Sequence, residues 1–182
     1  MKTILVLGAT AVAVATLGAC STDSTAPPVT SSSAAEPSAA ATPNAAIAPY
    51  ASLVARNQAD VTKAVTAVSQ CPATLSYEDA RASVTCLSGF GDLMLAGTTL
   101  DSFNLLYTKT SSQYVGPVPP EIASLVASTE KAAREAERVA GNAQDKCTPI
   151  TAPTCTTAVI AAAKVAADNL SKEMAAWKPY GG

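Results

Sequence analysis

Apolar residues return every third or fourth position in four separate stretches of this chain. No strand-length run of β-branched residues alternates with polar ones. That period places the apolar side chains on one face of a helix, so the chain is expected to be all-α. The first stretch starts at Pro49, which suits an opening helical turn because its missing N–H would have no partner there. Leu53/Val54, Val61, Val65 and Val68 follow on one face. Asn57 and Gln58 interrupt it, and Cys71-Pro72 ends it.

Ser76-Tyr77-Glu78-Asp79 approximates a capping box before the second stretch. Ala80, Val84, Leu87, Phe90, Leu93/Met94, Gly97, Leu100 and Leu105 then predict a helix running to about Tyr107. Gly89, Gly91, Gly97 and Thr98-Thr99 predict a kink or a close helix contact within it. The third helix is expected from Pro120-Glu121, with Ile122, Leu125/Val126, Ala133, Ala136 and Val139/Ala140 facing inward. Its i,i+4 pairs, Glu130 with Arg134 and Lys131 with Glu135, read as a solvated face. The fourth carries Val159/Ile160, Ala163, Ala166/Ala167, Leu170, Met174 and Trp177, and Lys178-Pro179 stops it. Four helices of similar reach with short connections predict an up-down-up-down four-helix bundle over residues 49–182. Alanine is about one residue in five, well above ordinary usage, which favours closely spaced helices with thin cores.

Cys71, Cys86, Cys147 and Cys155 form an even set, which suits two disulfides in an exported chain. Three pairings are open. Pairing of sequence neighbours is the simplest. The bundle topology brings all four to one pole, so a crossed bridge such as Cys71–Cys147 stays open too. A zinc site or a redox-active pair would be expected to show a Cys-x-x-Cys spacing, which is missing.

The chain has no histidine. This removes Ser-His-Asp and Cys-His catalysis, HExxH zinc sites and histidine-ligated haem. Carboxylate pairs could still act, but Asp92 and Asp101 read as ordinary helix residues. Gly89-Phe90-Gly91 lacks the strand context of a phosphate loop. No catalytic residue, metal or cofactor is expected. Lysine and arginine number 12 against 14 aspartates and glutamates, and this slightly acidic balance argues against nucleic acid as a partner.

The N-terminus has a different character. Lys2 is the sole charge before Asp23, and Ile4 to Ala15 is almost wholly apolar or small. Leu17-Gly18-Ala19-Cys20 closes the segment. It resembles the lipobox of bacterial lipoprotein signal peptides. The resemblance implies removal of residues 1–19 and a lipid on the Cys20 thiol. The molecule would then sit in the cell envelope, outside the cytoplasm and anchored to the membrane. An uncleaved anchor is the alternative, since the charge-free run of about 18 residues approaches the length needed to cross a bilayer. From Cys20 to residue 48 the chain is mostly Ser, Thr, Ala and Pro, with too little bulky apolar surface to offset ordering. A disordered tether is expected, its ends roughly 25–30 Å apart.

Tracing the bundle gathers Tyr50, Phe103, Tyr107, Tyr114, Trp177 and Tyr180 at the pole nearest the tether, opposite the cysteines. They would either plug the splaying helix ends or offer a contact patch, with Tyr50, Tyr107, Tyr114, Trp177 and Tyr180 as its residues. The function expected is a non-catalytic, lipid-anchored binding module for an envelope or extracellular protein. The alternative is a carrier holding an apolar small molecule between the helices, near Phe90, Met94 and Trp177.

Overall fold

The computed structural model describes residues 44–182, so the expected signal segment, Cys20 and the tether as far as residue 43 lie outside the described residues. Helix α1 spans Ala48–Ser69, α2 Ala80–Asp101, the short α3 Phe103–Tyr107, α4 Ala123–Lys146 and α5 Thr157–Ala175. Among the described residues there is no strand. Helix α1 packs on α2, α2 on α4, α4 on α5, and α5 closes back on α1. The four long helices therefore form the expected up-down-up-down bundle.

Packing begins slightly before Pro49. The Asn44 carbonyl accepts from the Ile47 and Ala48 N–H groups at 2.8 and 3.1 Å, and Ile47 is buried. Tyr50, Leu53, Val54, Val61, Ala64 and Val68 make the buried stripe of α1. Asn57 sits at its flank, where its side-chain amide donates to the Leu53 carbonyl at 2.7 Å, and Gln58 is exposed.

Helix α2 departs from expectation at both ends. Its N-cap is Asp79, whose carboxylate accepts from the Ala82 N–H at 3.4 Å. Ser76 acts one step earlier: its hydroxyl accepts from the Asp79 N–H, and its backbone trades two 3.0 Å hydrogen bonds with the buried Ser83 hydroxyl. At the far end α2 stops at Asp101 instead of continuing to Tyr107. Both the N–H and the hydroxyl of Ser102 turn back to the Thr99 carbonyl, which closes the helix, and α3 follows from Phe103. Val84, expected inside, is exposed, while Cys86, Phe90, Leu93, Ala96 and Leu100 fill the interior.

The glycines of α2 mark close contacts, and the helix breaks elsewhere, at Ser102. A Cβ on Gly97 would lie 2.5 Å from the Ala133 carbonyl oxygen of α4, and one on Gly89 would lie 2.9 Å from the Ala67 Cβ of α1. Helix α2 thus approaches both neighbours more closely than any larger residue would allow. Ala133, Ala136, Ala140 and Ala143 of α4 and Ala163, Ala166 and Ala167 of α5 are likewise buried.

Both disulfides join sequence neighbours: Cys71 to Cys86, and Cys147 to Cys155, with S–S distances of 2.01 and 2.05 Å. Both lie at one pole, where α1 and α4 end and α2 and α5 begin. Lys164 of α5 adds a third tie there, its ammonium donating to the Cys71 carbonyl at 2.6 Å. A cation at that carbonyl also suits the negative end of the α1 dipole.

Candidate contact site at the aromatic pole

The opposite pole is built from α1's first turn, α3 and the turn after α5. The rings of Tyr50 and Phe103 lie 6.3 Å apart at 13°, and those of Phe103 and Trp177 5.5 Å apart at 16°. Tyr180 meets Trp177 edge-on at 6.1 Å. Tyr50, Phe103 and Trp177 are wholly buried. Large rings fill this end of a bundle built from small-residue helices, which removes much apolar area from water.

The polar tips of Trp177, Tyr50 and Tyr107 find partners. The Trp177 indole N–H donates to the Thr129 hydroxyl at 2.9 Å, and that hydroxyl donates to the Leu125 carbonyl at 2.8 Å. The Tyr50 hydroxyl reaches the Gly116 carbonyl at 3.4 Å. The Tyr107 hydroxyl donates to Glu130 at 2.8 Å, and Glu130 is only 6% exposed. Burial, and then the Glu130 carboxylate, push the Tyr107 phenol up to about 12. Burial also raises Tyr50, with Tyr114 and Glu130 acting in the same direction.

These positions correct the contact list. Tyr50 and Trp177 present no surface and cannot touch a partner while the pole is folded. Tyr107 and Tyr180 are half-buried. Tyr114 keeps 39% of its surface exposed, and beside it in the sequence Val115 keeps 49%. The Val115 N–H returns to the Leu106 carbonyl at 2.8 Å, holding this loop against α3, where Leu105 is 38% exposed. A groove of about 360 Å³ runs alongside, between Asn44–Ala46, Pro49 and Tyr50 on one wall and Val115–Glu121 on the other.

The remaining sequence candidates have structural partners. All four bundle cysteines are in disulfides. Asp92 pairs with Lys63 at 3.0 Å, and Asp101 with Arg134 at 2.8 Å. The charge run on α4 is not uniformly solvated. Glu130 turns inward with Arg134 at 3.8 Å, and Glu135 pairs with Arg138 at 2.6 Å instead of with Lys131. That contact holds the Glu135 carboxyl below its ordinary range. Two smaller grooves lie elsewhere, one between α1 and α2 around Asp60, Asp92 and Leu95, the other between α4 and α5 around Ala132, Ala166 and Glu173. Among the described residues no three His, Cys, Asp or Glu side chains converge on a metal position, and no helix is long and apolar enough to cross a membrane.

Thr129 has no place in the sequence reading, and Glu130, expected on a solvated face, is buried. Both fall on the spacing of Val126, Ala133 and Ala136, so the helical period alone places them on the inner face; their polarity hid them. A scan against protein-family models and searches of curated proteins and of solved structures find no match for this chain.

Proposed function

We propose that this protein is a lipid-anchored, extracytoplasmic helical binding module that serves an envelope or extracellular protein and performs no catalysis. The observation that carries this reading is the pair of disulfides at one pole of a small bundle. Such bridges persist in oxidising compartments. They agree with the compartment implied by Leu17-Gly18-Ala19-Cys20. Cys20 carries the lipid, and residues 20–43 connect it to the pole where Asn44 begins the described fold. Asp92 and Asp101, ordinary helix residues by sequence, are engaged in ion pairs, which supports a binding role over a chemical one. A carrier role has less support, because Tyr50, Phe90, Phe103 and Trp177 occupy the interior that a ligand would need.

The test is Cys20→Ala in the full chain, expressed in its own host. Loss of the acyl chains and of cleavage before position 20, with the thermal transition of the bundle unchanged, is the expected result. Unsubstituted protein that keeps residues 1–19, or whose Cys20 carries no acyl chain by mass spectrometry, would overturn the lipoprotein reading. Crosslinking of the anchored protein in the intact envelope then tests for a protein partner.

A further inference from the structure

We infer that the aromatic pole rests on the lipid surface, with Leu105, Tyr114 and Val115 reaching into the headgroup region. This rests on the proposed lipid anchor at Cys20. Leu105 on α3 and Tyr114 and Val115 in the loop each keep 38–49% of their surface exposed, and the Val115 N–H to Leu106 carbonyl bond ties that loop to α3. The wall of Asn44–Ala46 borders the same loop across the groove, so the chain leading back to Cys20 leaves the bundle beside this patch. Residues 20–43 can span at most about 85 Å fully stretched, which keeps the bundle near the membrane. Under such confinement a weak contact is enough, because the anchored partner is already at high local concentration.

Charge points the same way. Lys109 in the loop and Lys178 beside Trp177 are exposed at this pole. Of the acids nearby, Glu130 is bonded to Tyr107, Asp101 to Arg134 and Glu173 to Ser128, which leaves Glu121 on the groove wall. Anionic headgroups attract such lysines, and amphipathic tyrosine suits the interface. A second copy of the chain is a poorer occupant. Three part-exposed side chains fall well short of the roughly 1,200 Å² that a stable protein interface buries.

The experiment uses full-length lipidated protein on vesicles of phosphatidylglycerol and phosphatidylethanolamine. An environment-sensitive fluorophore is placed at Val115→Cys, or, for comparison, at Tyr77→Cys or Val165→Cys, exposed positions away from this pole. The label at 115 should shift to shorter wavelength and lose most of its emission to nitroxide lipids, while those at 77 and 165 do neither. Adding Lys109→Glu and Tyr114→Ser should abolish the response at 115 while the protein still floats with the vesicles. Floating, acylated protein whose label at 115 behaves like that at 77 would overturn the inference and leave the anchor standing. A shift at 115 that follows protein concentration without vesicles would identify a second copy and overturn it as well. Protein that neither floats nor carries acyl chains on Cys20 by mass spectrometry would remove the anchor, and the inference with it.

Discussion

At the scale of single residues, the aromatic pole depends on a few buried polar contacts. Thr129 is the clearest case, since it joins Trp177 to the α4 backbone through a single hydroxyl. Thr129→Val keeps the volume and strands the buried indole N–H, which costs about 1–3 kcal/mol. Thr129→Ser keeps the hydroxyl and should cost less; urea denaturation of the two variants checks the order. Tyr107 makes a pH-dependent contribution. Its phenol is raised, so the folded state holds that proton more tightly than the unfolded chain does. The stabilisation is complete below the ordinary phenol range near pH 10 and is lost as pH rises towards about 12. Wild-type stability should therefore fall more steeply over this window than that of Tyr107→Phe. At pH 7 the variant should already be weaker by about 1–2 kcal/mol, because Glu130 loses its donor. Denaturation at stepped pH, with tyrosinate absorbance followed in parallel, reads both effects.

At the scale of elements, the four long helices and their order are legible in the sequence because apolar spacing dictates which face goes inward. Their ends are less so. The start of α2 carries several side chains able to cap, Ser76 and Asp79 among them, and only the positions of Ser83 and Ala82 decide which one does. The break at Ser102 is invisible to periodicity, since Phe103 and Leu106 would also suit a continuing helix. The glycines of α2 suit either a kink or a close contact by sequence, and the structure assigns Gly97 to contact. Gly97→Ala must push α2 away from the Ala133 carbonyl, and overpacking of this kind costs about 1–3 kcal/mol. Gly141→Ala is the matched control on α4. Its added methyl would meet only the Met94 sulfur, at an ordinary 3.5 Å, and it should stabilise the helix by about 0.5–1 kcal/mol. Opposite signs in thermal melts of the two variants are the expected outcome.

At the scale of the whole molecule, chain tracing was enough to put cysteines at one pole and aromatics at the other. It could not tell which aromatics stay at the surface, because that depends on how Val115 and Gly116 fold the loop back over α3 and Tyr50. The bridges are expected to contribute unequally. Replacing Cys71 and Cys86 together with alanine should cost about 3 kcal/mol, and replacing Cys147 and Cys155 somewhat less, in line with the shorter loop. Denaturation of the two double variants under oxidising conditions measures the difference. Each bridge lies wholly within one half of the chain, and none crosses from the α1–α2 half to the α4–α5 half. A single peptide-bond cut in residues 108–119 would therefore divide the molecule into two covalently separate hairpins, held only by packing such as that around Gly97. The same cut within 72–85 or 148–154 would leave one covalent body. Under denaturing but non-reducing conditions, a protease acting at the aromatic pole would release two fragments, and one acting at the disulfide pole would release none.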